Sequence, residues 1–132
     1  MTSLKKQVLV IEDSPYLAAS LEDMLTLSGH SPIVTVTGVD GVAAALEHHP
    51  DLILLDIRLP DINGYEVYRR LRSDTWGATA DILVLTASES VDQAAKNLGL
   101  PLDHVLFKPD WSIKELIALI NDRLSNSANS SL

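Results

Sequence analysis

The chain has 132 residues, 46% of them apolar, a formal net charge of −8 and no cysteine. This length suits one domain with a proper core, while the absence of a long apolar run excludes a membrane-spanning helix pattern and the absence of thiols excludes a disulfide framework or a thiolate site. So acidic a chain is poorly matched to nucleic acid, whose phosphates are held by Lys and Arg, and residues 1–7 show no signal-peptide pattern, so a cytoplasmic location is expected.

Strand-like and helix-like segments alternate along the chain. Residues 8–11 read as a first strand that runs into Glu12 and Asp13. Ser14 then caps a helix with Pro15 at its first position. Leu17, Leu21, Met24 and Leu25 recur at helical spacing, and Gly29 ends the helix. Residues 33–36 read as a second strand and residues 40–49 as a short Ala-rich helix closed by Pro50. A third strand, residues 52–55, delivers Asp56 to its carboxyl end. The loop through Pro60, Asp61, Ile62, Asn63 and Gly64 leads to a helix over residues 65–73, with Val67, Tyr68 and Leu71 inward. Residues 82–85 form a fourth strand ending at Thr86, and a more polar helix spans residues 91–98. Residues 105–107 are the fifth strand, followed by Lys108 and Pro109. Ser112 caps a last helix with Ile113, Leu116, Ile117, Ile120 and Leu124 on one stripe. Residues 1–124 are expected to form a single domain, and residues 125–132, rich in Ser and Asn, a disordered polar tail or linker stub.

Near-continuous apolar strands between helices call for a parallel sheet covered on both faces. Right-handed crossovers make this a flavodoxin-like, doubly wound (βα)5 domain with strand order 2-1-3-4-5. Ligands of such sheets bind outside the carboxyl ends of the strands. Glu12, Asp13, Asp56, Thr86 and Lys108 are therefore expected to meet in one crevice. Three acids, a hydroxyl and an ammonium suit a divalent cation and a phosphoryl group. Each residue alone has an ordinary reading: acids at a helix N-terminus, a strand-end turn, a helix entry, a surface lysine before a proline. Independent accidents would not place all of them at the same end of the sheet.

Residues 7–124 resemble the receiver domain of two-component response regulators. The resemblance rests on Glu12-Asp13, on Asp56 with Leu59-Pro60 and Ile62-Asn63-Gly64, on Thr86-Ala87 and on Lys108-Pro109. The separations of 43, 30 and 22 residues between Asp13, Asp56, Thr86 and Lys108 fit the family. It implies that Asp56 is the phosphoacceptor, receiving a phosphoryl group from a phosphohistidine on a sensor histidine kinase or histidine phosphotransfer domain. Asp13, Asp56 and the Arg58 backbone carbonyl would bind Mg²⁺, with Mn²⁺ as a substitute and Glu12 acting through water. Lys108, the Thr86 hydroxyl and the Ala87 backbone N–H would hold the phosphoryl oxygens. Such a module is a timed switch that phosphorylates and dephosphorylates itself, not a turnover enzyme. Its output face, formed by the fourth helix, fifth strand and fifth helix, would meet a downstream protein target or a second copy, with no direct nucleic-acid binding and no membrane insertion.

Two features depart from the family pattern. Val105 stands where receivers usually carry Tyr or Phe, with Phe107 two residues on. Asp110-Trp111 replaces the usual apolar residue after the Lys-Pro pair. His104 reads as a solvated strand-edge residue, and His30, His48 and His49 as helix-end surface residues. A haloacid dehalogenase-type phosphatase would need a second acid at Arg58. Flavodoxin-like cofactor binding would need a phosphate-cradling loop where Glu12-Asp13-Ser14-Pro15 stands. The rival is a degenerate receiver serving only as a docking or dimerisation module, against which the retention of all five site groups argues.

Overall fold

A computed structural model describes residues 5–130, with side chains described through Ser125. Five strands, β1 (Gln7–Ile11), β2 (Ser31–Thr35), β3 (Leu52–Asp56), β4 (Ile82–Thr86) and β5 (Val105–Phe107), pair in the order β2-β1-β3-β4-β5. All four pairings are parallel. Helices α1 (Pro15–Leu27), α2 (Gly38–His48), α3 (Gly64–Arg72) and α4 (Val91–Leu98) make the crossovers, and α5 (Ile113–Ser130) follows β5.

The near-continuous apolar strands are explained by burial on both faces. Alternate residues of each strand point to opposite sides. Val8, Val10, Leu52, Leu54, Leu83 and Leu85 pack under Leu21 and Leu25 of α1 and under Leu116, Ile117 and Ile120 of α5. Leu9, Ile11, Ile53, Leu55, Ile82 and Val84 pack under Ala45 of α2, Val67 and Leu71 of α3, and the Ala94, Ala95 and Leu98 face of α4. Val105 belongs to this second layer and Trp111 packs against the first, so the tryptophan after the Lys-Pro pair supplies the apolar cover expected there.

Helix starts follow local chemistry. The Ser14 hydroxyl accepts from the Leu17 amide, and Asn63 caps α3 by accepting from Glu66 N–H at 3.0 Å. Ser112 and Glu115 form a reciprocal capping box, each accepting from the other's amide at 3.0–3.1 Å. β2 begins two residues earlier than its apolar run. Pro32 lies within it, opposite Val8, and is tolerated because an edge strand has one unpaired side. The last helix continues over residues 125–130, assigned from sequence to a polar tail. The remainder of that tail lies outside the described residues.

The histidines are more engaged than their sequence positions imply. His30 Nε2 lies 2.7 Å from Asn121 Oδ1, tying the α1–β2 turn to α5. His49 ends α2 in the left-handed region (φ 48°), and its ring stacks on Trp76 at 4.5 Å. His104 is not on a strand edge; it closes a 3₁₀ turn before β5 and pairs with Asp103 at 3.0 Å.

Candidate functional site

Parallel strands leave all their carboxyl ends on one side, and the sheet register sets the polar residues side by side there. Ile11 is level with Leu55, Asp56 with Leu85, and Thr86 with Phe107. Glu12 and Asp13 continue β1, Asp56 ends β3, and Lys108 opens the 3₁₀ turn after β5. Glu12 and Asp56 are buried, at 1% and 2% exposure, whereas Asp13 lies at the solvent rim. Ligand oxygens of these three carboxylates lie within 4.8 Å of one another.

Two buried acids and one exposed acid so close together repel, and Lys108 answers part of that repulsion. Its ammonium donates to Asp56 Oδ2 at 2.7 Å and lies 2.9 Å from Glu12 Oε1. The second contact is an ion pair without hydrogen-bond geometry, so Glu12 Oε1 is a buried oxygen with no formed hydrogen bond. Burial opposes the Lys108 charge, but the two carboxylates outweigh it and raise its pKa. Glu12 moves the other way for a carboxylate, up to about 7, chiefly through burial, with Asp56 adding to the rise against the Ser14 amide and Lys108. Asp56 Oδ1 accepts the Arg58 backbone N–H at 3.0 Å, and the Arg58 side chain is exposed.

The donor set fits a hard divalent cation. Its oxygens are carboxylates, one of them buried without a hydrogen bond, and part of the cluster opens to water. Mg²⁺ prefers such a partly hydrated, oxygen-only site.

Thr86 lies at the same end of the sheet, 1% exposed, but its hydroxyl is turned into its own loop. Oγ1 donates to the Glu89 carbonyl at 3.1 Å and accepts from the Glu89 amide at 3.2 Å. Ala87 is exposed at the rim. The structure thus brings Glu12, Asp13, Asp56 and Lys108 into direct proximity and sets Thr86 beside them facing away.

Two contributors lie outside the residues singled out from sequence. Asp61 accepts from the Gly38 and Val39 amides at 2.7 and 2.9 Å, fastening the β3–α3 loop to the start of α2. The Val39 amide foremost, joined by that of Gly38, outweighs the opposing effect of burial and holds its carboxyl down at about 2. Close packing also demands glycine at Gly64, where a Cβ would sit 2.5 Å from Ile57 Cα and 2.8 Å from the Asp56 carbonyl oxygen. The second contributor is Glu89, whose carboxylate accepts from the Tyr65 hydroxyl and from Asn97. An acid followed by a helix start hints at the Asp61 anchor, but no local signal marks a 24-residue pairing such as Tyr65 with Glu89.

The chain matches the family model for the response regulator receiver domain over residues 8–121 and belongs to that family, a signalling module of two-component systems. It is similar to the response regulator ArlR of Staphylococcus aureus (strain Mu50 / ATCC 700699), with 38% identity over 114 residues, covering 86% of this chain and 50% of the relative. The chain therefore spans about half the length of the curated relatives it matches. Among solved structures it resembles the receiver domain of the sensor histidine kinase PA1611 from Pseudomonas aeruginosa PAO1, in which a magnesium ion is coordinated in the active-site cleft. That match has 27% identity and a TM-score of 0.77, covering 92% of this chain and 99% of the other. The CheY-like receiver domain protein of Methanospirillum hungatei JF-1 shares the fold at TM-score 0.81, with 22% identity over 96% of this chain and 99% of the other. Among the described residues, no helix is long and apolar enough to cross a membrane.

Proposed function

We propose that the chain is a phosphoacceptor switch that takes a phosphoryl group onto Asp56 from a phosphohistidine donor. The observation that carries this reading is the buried Asp56 carboxylate, joined to the Lys108 ammonium at 2.7 Å and flanked by Glu12 and Asp13. An Asp56 carboxylate oxygen attacks phosphorus, the phosphorus–nitrogen bond breaks, and the departing imidazole nitrogen keeps the electron pair and is protonated. Charge spreads over three equatorial oxygens, so positioning and electrostatics carry the catalysis. Lys108 neutralises one oxygen. The Thr86 hydroxyl, once released from Glu89, and the Ala87 N–H serve another.

Asp13, Asp56 and the Arg58 carbonyl would hold Mg²⁺, with Glu12 contributing through water and Mn²⁺ as a competent substitute. When bound, the ion offsets the negative charge of the cluster and of the phosphoryl group. Water later cleaves the acyl phosphate, returning Asp56; self-phosphorylation and autodephosphorylation are the only reactions. The donor is a sensor histidine kinase or histidine phosphotransfer domain in the cytoplasm. The α4–β5–α5 face meets a downstream protein or a second copy, without direct contact to nucleic acid.

Acetyl phosphate or phosphoramidate with Mg²⁺ should add one phosphoryl group, seen by intact mass, and Asp56→Asn should remove it. Equal labelling of that variant overturns the assignment.

A further inference from the structure

A threonine hydroxyl has one proton to donate. In this structure Thr86 directs it at the Glu89 carbonyl, while the Glu89 amide donates back to the same oxygen. Thr86 cannot also donate to a phosphoryl oxygen without letting Glu89 go. What holds Glu89 therefore governs Thr86.

Glu89 is held from the neighbouring helices. The Tyr65 hydroxyl, from the first turn of α3, donates to Glu89 Oε1. Asn97, near the end of α4, donates at 3.4 Å both to Glu89 Oε2 and to the Tyr65 oxygen, and Gln93 donates to Asn97 Oδ1 at 3.0 Å. Burial first, and then Glu89, raise the Tyr65 pKa, so the phenol stays protonated as a donor at neutral pH. Tyr65 and Asn97 also line a 460 Å³ groove between α3 and α4, with Tyr68, Arg69 and Arg72. On β5, by contrast, the position three residues before Lys108 is the buried Val105, which lacks a ring and is stiff at χ1.

We propose that Tyr65 and Glu89 are positioning residues of the phosphoryl site: the Tyr65–Glu89 pair latches Thr86 outward in the resting state and opens when Thr86 turns to the phosphoryl group. This rests on the phosphoacceptor reading above. The latch stabilises only the resting state, so weakening it shifts the population towards the state that holds the phosphoryl group. A merely structural role predicts the opposite, since a loosened site would bind more weakly.

The test is beryllofluoride titration with Mg²⁺, followed by backbone and side-chain amide NMR, on the wild type, Tyr65→Phe and Glu89→Gln. Tyr65→Phe removes one oxygen from a half-buried ring and should bind roughly three- to tenfold more tightly, the order set by the net contribution of one ordinary hydrogen bond. Glu89→Gln keeps a neutral acceptor and should tighten binding by less. In the wild type, the Asn97 side-chain amide should shift on binding. In Tyr65→Phe it should start close to its bound position. Unchanged or weaker binding in both variants overturns the latch. A wild type that shows no beryllofluoride-dependent shift at Asp56 or Lys108 overturns the phosphoacceptor reading instead.

Discussion

The Lys108 ammonium lies 2.7 Å from Asp56 Oδ2, across 52 residues of sequence, and is the cation set between two buried carboxylates. Removing one member of a buried ion pair leaves the other charge stranded, at a cost of about 3–5 kcal/mol when fully buried. Lys108 is 25% exposed, so Lys108→Met should lose less, about 2–3 kcal/mol in metal-free urea unfolding at pH 8. Mg²⁺ should recover part of the loss, because a divalent cation can take over the neutralising role. An equal loss with and without Mg²⁺ would refute that role.

Asp13 should carry more of the metal affinity than Glu12. Glu12 is already engaged by the Ser14 amide and by Lys108, whereas Asp13 lies at the rim with water on one side. In calorimetric titrations Asp13→Ala should nearly abolish Mg²⁺ binding, and Glu12→Ala should only weaken it. The reverse order would refute the ligand roles.

The Asp61 anchor has a pH signature. Its folded pKa of about 2 lies below the ordinary 3.8, so its contribution to stability is complete above pH 3.8 and is lost as pH falls through about 2. Carboxyl-carbon NMR should give a midpoint near 2, and the Gly38 and Val39 amides should shift along the same curve. A midpoint at the ordinary value would show that the loop is not fastened there.

Gly64→Ala tests the floor of the site. The added Cβ would meet backbone atoms of Asp56 and Ile57, which cannot swing away as a side chain could. A cost of roughly 1–3 kcal/mol is expected, together with slower phosphorylation from small-molecule donors. A neutral substitution would mean that the loop is looser than its geometry indicates.

Phosphorylation should be felt more strongly over residues 86–97 than over residues 104–107. Val105 is already packed into the layer under α4 and has no ring to swing. Amide shifts on adding beryllofluoride would measure this directly, and large changes confined to residues 104–107 would contradict it.

Most of the fold was legible because each strand is an apolar run matched to a two-sided sheet, and because the capping groups Ser14 and Ser112 mark where α1 and α5 begin. β2 was misplaced by two residues because Pro32 argues against a strand unless the strand is known to lie at an edge, which is a property of the whole sheet. The proximity of Glu12, Asp13, Asp56 and Lys108 followed from their shared position at strand ends. The direction of the Thr86 hydroxyl did not, because it depends on Glu89, and Glu89 depends on Tyr65 of another helix. His49 escaped for the same reason: its stacking partner, Trp76, lies 27 residues away on another connection.

The Asp61 tether has a mechanical consequence. On the β3 side, the loop beyond Asp56 is clamped three times: by Asp61 to α2, by the Gly64 N–H to the Ile57 carbonyl at 2.7 Å, and by the Arg58 N–H to Asp56 itself. On the β4 side, Thr86 is held through a single residue. The crevice is a vice with one welded jaw and one sprung jaw. On the phosphoacceptor reading, a charge arriving between them would do its work on the sprung side, and the displacement would be sent to α4 rather than shared around the rim. Linkage would then make the traffic two-way, so a protein gripping α4 would also set how firmly the vice closes.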